Sequence, residues 1–199
     1  MKKVVVLTAI LIALAMVAGC TKQPKQAPNQ GSQQNMQPGA GAEKLSVAGI
    51  VWSIPRGWAP QPQKAMRVAT YSVPAPKQGV EAGECGVFYF GGKEGGTVSD
   101  NLNRWISQFE NGGKHEFSTK ELKGFKTTLV QISGTYLDPA GPMMESQGKK
   151  ENYRLMGAIV EAPQGLVFFK FTGPDATVMA AQQSFNDLLA SIAPAPPPL

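Results

Sequence analysis

The stretch that decides the fold class is Tyr153-Arg154-Leu155-Met156-Gly157-Ala158-Ile159-Val160-Glu161-Ala162, followed by Pro163-Gln164-Gly165 and then Leu166-Val167-Phe168-Phe169-Lys170-Phe171-Thr172. Two runs rich in β-formers, separated only by a turn containing proline and glycine, read as a β-hairpin. In the second run Val167, Phe169 and Phe171 share one face. In the first, Leu155 and Ile159 oppose Met156 and Val160, so apolar residues point both ways. A strand covered on both faces belongs in the middle of a sheet.

Further strands are predicted on either side. Val47 to Ile54 stops at Pro55-Arg56-Gly57, Ala65 to Val73 alternates before Pro74, Cys85 to Phe90 lies between glycines, and Phe125 to Leu137 is long and threonine-rich. Two helices complete the pattern. Over Val98 to Phe109, residues Val98, Leu102, Trp105, Ile106 and Phe109 fall on one stripe, with Thr97 and Asp100 spaced as a capping box. Pro174 and Asp175 open the second helix, lined by Val178, Phe185, Leu188, Leu189 and Ile192 until Pro194 stops it. The expectation is a single α+β domain over residues 45–193, an antiparallel β-sheet flanked by two main helices.

The N-terminus carries a different message. Lys2 and Lys3 precede an apolar run from Val4 to Met16, too short to cross a bilayer but suited to a signal peptide over residues 1–19. Val17-Ala18-Gly19-Cys20 resembles the lipobox of bacterial lipoproteins. That resemblance implies a diacylglyceryl group on Cys20 and, with a further acyl chain on its amine, an anchor of two or three chains, enough for stable membrane attachment. Thr21, where lipoproteins retained in an inner membrane usually carry Asp, points to the outer membrane if the bacterium has one. With Cys20 lipidated, Cys85 has no partner in the chain, so an internal disulfide is excluded.

Residues 20–44 are rich in Gln, Pro, Gly, Asn and Ala and read as a lipidated, flexible linker. Residues 194–199 read as a proline-rich tail. The formal charge of +5 falls to +3 once Lys2 and Lys3 leave, and the basic residues are scattered among acidic ones. Nucleic acid is therefore not an expected partner. The expected associations are the membrane, through Cys20, and an envelope protein.

Candidate chemistry is sparse. Gly91-Gly92-Lys93-Glu94-Gly95-Gly96-Thr97 joins a strand to a helix with glycines at Walker spacing, but Thr97 stands where the phosphate-binding lysine is required. It reads as a turn. His115, the only histidine, lies in Gly112-Gly113-Lys114-His115-Glu116, read as an exposed connection. Cys85 is read as a small buried hydrophobe. One histidine and one unlipidated cysteine make no zinc site, so no catalytic residue, cofactor or metal is expected. Arg104 and Trp105 are the candidate binding residues, because arginine beside an aromatic builds ligand pockets and interface hot spots; the place of Trp105 on the apolar stripe argues equally for core.

The series Ile54-Pro55-Arg56-Gly57-Trp58, Val87-Phe88-Tyr89-Phe90-Gly91, Arg104-Trp105-Ile106-Ser107-Gln108-Phe109 and Phe169-Lys170-Phe171-Thr172-Gly173-Pro174 resembles an uncharacterised family of exported bacterial lipoproteins. Their fold is similar to that of PsbP and Mog1 proteins. The resemblance spans roughly residues 46–192 and implies a PsbP/Mog1-like α/β sandwich, with no catalytic residue carried over. The expected function is a non-enzymatic accessory or binding domain on a membrane anchor. The alternative is a small-ligand-binding or hydrolytic envelope protein using a cleft near the glycine loop and Arg104.

Overall fold

A computed structural model of the protein describes residues 44–92, 94–139 and 146–197. The segments read above as a signal peptide, lipidated Cys20 and a linker lie, up to residue 43, outside them. Ala48 and Gly49 adopt φ of 53° and 84° and turn the chain back on itself. The run Val47 to Ile54, read as one strand, is therefore a hairpin of β1 (Lys44–Val47) and β2 (Ile50–Ser53). The linker reading thus ends one residue late, because Lys44 pairs with Ser53.

There follow β3 (Ala59–Pro60), β4 (Ala69–Val73), β5 (Gly83–Tyr89), α1 (Val98–Ile106), β6 (Lys114–Leu122), β7 (Phe125–Pro139), β8 (Ser146–Ala162) and β9 (Gly165–Pro174), then α2 (Asp175–Ala180), α3 (Gln182–Ala190) and β10 (Ala193–Pro194). Seven strands form one antiparallel sheet in the order β3-β4-β5-β9-β8-β7-β6. A small antiparallel sheet has the order β1-β2-β10. This is the expected α+β architecture, and the diagnostic hairpin is β8–β9, with Ala162 opposite Gly165. β8 lies between β9 and β7, as its two apolar faces require.

Three further readings are corrected. β4 starts at Ala69 rather than Ala65, because Met66 takes a φ of 64° and the Arg67 N–H turns back to the Lys64 carbonyl. The second helix is broken at Ala181 (φ −97°, ψ 7°) into α2 and α3. The segment around His115 is not a connection but β6, a nine-residue edge strand whose side chains are exposed up to Glu121.

Each face of the large sheet carries its own core. On one, Tyr71, Val73, Cys85, Val87, Phe169 and Phe171 pack against Ile50, Trp52, Val178, Phe185 and Leu188 of the small sheet and of α2 and α3. Trp52 meets Phe169 edge-on at 5.3 Å between centroids and donates Nε1–H to the Tyr71 hydroxyl at 3.0 Å, so its polar atom is satisfied at depth. On the other face Trp105 and Phe109 cover Val130, Leu155, Ile159 and Phe168. Burying each such side chain contributes about 1.5–3 kcal/mol.

Candidate functional site

Helix α1 is built as its sequence requires. The Thr97 hydroxyl accepts from the Asp100 N–H at 3.1 Å, and Asp100 Oδ2 accepts from the Thr97 N–H at 2.9 Å. These bonds occupy the helix's first free amides, so the glycine loop before it serves as a capped turn. The Asp100 carboxyl is held below its usual range by bonds from the Thr97 hydroxyl and backbone. The stripe of α1 lies over β8, where the Trp105 indole rests on Gly157. After α1 the chain is tied to β7: the Leu137 N–H donates to the Gln108 carbonyl at 2.8 Å, and Phe109 pairs with Tyr136.

Only part of that sheet face is covered. Cross-strand registers align Thr70, Gly86, Lys170, Gly157 and Val130 in one row, with Ser72, Glu84, Thr172, Leu155 and Ile132 in the next. Trp105 fills the space over Gly157. Towards β4 and β5 the face opens into a recess of about 300 Å³, lined by Arg67, Glu84, Gly86, Phe88, Tyr136, Asp138, Lys150, Tyr153, Lys170 and Thr172 among others. A broader depression of about 940 Å³ adjoins it, sharing Glu81, Lys150 and Tyr153.

Charges around the recess are mostly matched. Glu84 accepts from Arg67 at 2.6 Å and also pairs with Lys64. Burial raises the Glu84 carboxyl, but the bonds from Lys64 and Arg67 outweigh it and hold the group below its usual range. The Arg67 guanidinium lies over the Phe88 ring, 5.3 Å from its centroid. Lys150 pairs with Asp138 at 3.2 Å, and the Tyr153 hydroxyl donates to Glu81 at 2.5 Å. Lys170 differs. Its Nζ donates to Gln108 Oε1 at 2.6 Å and to the Tyr136 hydroxyl at 3.2 Å, with no carboxylate of the described residues at ion-pair distance. Burial, then the Arg67 charge, lowers its pKa to about 8. Burial likewise pushes the neighbouring Tyr136 phenol up, so it stays neutral.

The predicted site residues fall elsewhere. Trp105 is 5% exposed and belongs to the core. Arg104 is exposed and donates to the Asn101 side chain at 3.1 Å. His115 is exposed on β6, its Nδ1 3.1 Å from the Gly112 carbonyl. Cys85 is fully buried, and burial followed by the Glu84 charge pushes its thiol far up. Cys20 lies outside the described residues. Among the described residues no cluster of three His, Cys, Asp or Glu side chains is arranged to hold a metal ion. Sequence reasoning missed the recess. Its one local signal was Lys170, a single cation between Phe169 and Phe171 in an otherwise apolar run.

No family model and no curated protein matches this chain. Among solved structures, that of a protein of unknown function from Pseudomonas aeruginosa aligns with 78% of this chain and 98% of its own, at 12% identity and a TM-score of 0.45. The solution structure of the cyanobacterial PsbP (CyanoP) from Synechocystis aligns with 82% of this chain and 100% of its own, at 11% identity and a TM-score of 0.49. At these values the likeness transfers nothing to this chain, and the fold class rests on the strand pairing itself.

Proposed function

We propose that this chain is the precursor of an exported lipoprotein, anchored through Cys20 to a bacterial envelope membrane, whose α+β domain binds a target without transforming it. The observation that carries the binding half is the recess over Lys170: a preformed hollow with aromatic walls and a few convergent polar groups, at the lower end of the size range of small-molecule sites. The anchor half rests on Val17-Ala18-Gly19-Cys20. The separation of Cys85, buried on one sheet face, from the exposed His115 on the edge strand supports binding over nucleophilic catalysis, which needs the two in contact. The recess also favours the small-ligand form of this reading, seated at Lys170 and not at Arg104.

The test uses the full chain expressed in a bacterium. Acyl labelling and membrane fractionation are expected to follow Cys20. A panel of small molecules is expected to include some that raise the melting temperature by mass action on the folded state, an effect lost when Arg67 and Lys170 are replaced. Substrate turnover abolished by His115→Ala would overturn the binding reading.

A further inference from the structure

We propose that the recess binds a small organic monocarboxylate, whose anionic end pairs with the Lys170 ammonium and whose apolar body lies against Phe88 and Tyr136. This rests on the binding reading above and names its ligand.

Three observations lead to a single negative charge. First, an ammonium carries three donors, and only two on Lys170 have partners, Gln108 Oε1 and the Tyr136 hydroxyl, both neutral. Lys170 is half-buried, and a partly desolvated cation without a carboxylate at ion-pair distance is costly, a cost that an anion at the remaining donor relieves. Second, the other cations lining the recess each have a carboxylate partner, Arg67 on Glu84, which Lys64 also meets, and Lys150 on Asp138, while Glu81 accepts only from the neutral Tyr153 hydroxyl. Of the cations lining the recess, Lys170 is the one with no carboxylate of the described residues at ion-pair distance. A dianion such as phosphate meets the single charge of Lys170 and the fields of Glu81, Glu84 and Asp138, so monoanions are favoured. Third, the Thr172 hydroxyl, two residues along β9 on the same sheet face, is the one buried side-chain polar atom among the described residues with no hydrogen-bond partner. A buried hydroxyl left unpaired carries a penalty that a ligand oxygen removes. Adjacent positions on one face of a strand lie roughly 7 Å apart, within reach of the two oxygens of one carboxylate and the side chains that meet them.

The recess sets the size. Its 300 Å³ is the space of roughly ten waters, enough for a one-ring acid and too little for a folded peptide segment. The cross-strand neighbours of Lys170 on both sides are glycines, Gly86 and Gly157, over which the Phe88 and Trp105 rings lie and flank its stem. Protonation adds a second handle. Arg67, Glu81, Glu84, Tyr136, Asp138, Lys150 and Tyr153 line the recess with Lys170, from β5, β7, β8 and the loops before β4 and β5, and the Lys170 ammonium itself, lowered to about 8, loses its proton within reach of neutrality.

The experiment is equilibrium dialysis of radiolabelled benzoate against the full chain in detergent micelles, with protein-free micelles as blank. Saturable binding at pH 7 is expected, weakening about tenfold by pH 9 as Lys170 loses its proton. Lys170→Met is expected to weaken binding at least tenfold. Gln108→Glu is the independent variant: it keeps the side chain's shape but places a carboxylate on Nζ, and an equal loss is expected because the charge is then occupied. Benzoate bound equally well by both variants, or equally at pH 7 and pH 9, overturns the proposal. Phosphate displacing benzoate at lower concentration overturns it in favour of an inorganic anion. Benzamide binding while benzoate does not sinks the carboxylate and leaves the binding reading standing; no saturable binding by any probe of the panel sinks both.

Discussion

The Trp105 indole occupies the place of the side chain that Gly157 lacks: a Cβ on Gly157 would lie 2.9 Å from Trp105 Cε3, closer still to Cζ3, and 2.9 Å from Val130 Cγ1. Helix α1 is seated through that contact. Gly157→Ala is therefore expected to cost about 1–3 kcal/mol by overpacking, and Trp105→Ala about 3–5 kcal/mol by leaving a cavity. Because the two share one space, the double variant is expected to lose less than the sum. Urea denaturation of the three variants measures this, and a loss below about 1 kcal/mol for Trp105→Ala would return Trp105 to the surface as a binding residue.

Lys170 makes stability depend on alkaline pH. Its folded pKa is lowered from 10.5 to about 8, so between those values the unfolded chain binds more protons and stability rises with pH. Lys170→Met removes this dependence and is expected to stabilise the domain at pH 7 by about 1–2 kcal/mol, the gain fading by pH 10.5. Denaturant midpoints of parent and variant at the two pH values test it; a variant less stable than the parent at pH 7 would contradict it.

Glu84 acts at the acidic end. Its folded pKa lies below the ordinary value of 4.5, so its pairing with Lys64 and Arg67 contributes fully above that value and is lost as pH falls through the folded pKa. Glu84→Gln is expected to flatten the fall in stability below about pH 4, read from melting temperatures across an acid series. An unchanged acid profile would show that the pairing persists in the unfolded chain or contributes nothing.

The thiol of Cys85 is expected to be inert. It is fully buried, and burial favours the protonated form, whereas the thiolate is the reactive species. In a Cys20→Ser chain, where it is the remaining cysteine, iodoacetamide is expected to label it only after denaturant is added. Labelling in native buffer at the rate of an exposed thiol would place it on a mobile edge.

The same Cys20→Ser chain tests the anchor. It is expected to take up no labelled palmitate, and to persist as uncleaved precursor or appear in the soluble fraction. Undiminished acylation would move the lipid elsewhere.

The sequence made part of this structure legible and concealed part, for identifiable reasons. The β8–β9 hairpin and α1 announced themselves because their apolar residues recur at the periods of strand and helix. β6 did not: from Lys114 to Glu121 its side chains face solvent, so an edge strand held by main-chain bonds to β7 shows no apolar alternation. The turn at Ala48-Gly49 was hidden inside a run of β-formers, since Val47 and Ile50 flank it without a break in hydropathy. The recess was out of reach because it is assembled across β5, β9, β8, β7 and the loop before β4, from residues as distant as Arg67 and Lys170. Arg104 and Trp105 stood out as neighbours in sequence, yet successive positions on a helix point apart, one to solvent and one to the core.

The chain enters and leaves the described fold through the same small sheet: β2 pairs with β1 on one side and with β10 on the other, and the Ala195 N–H donates to the Gly49 carbonyl at 2.9 Å. The consequence is mechanical. Tension applied ahead of Lys44 is met first by the four residue pairs between β1 and β2, and opening them leaves β4, β5 and β7–β9 bonded to one another. The hollow over Lys170 thus stands outside the load path, and a pull on the chain ahead of Lys44 is taken up before it reaches the groups that line it.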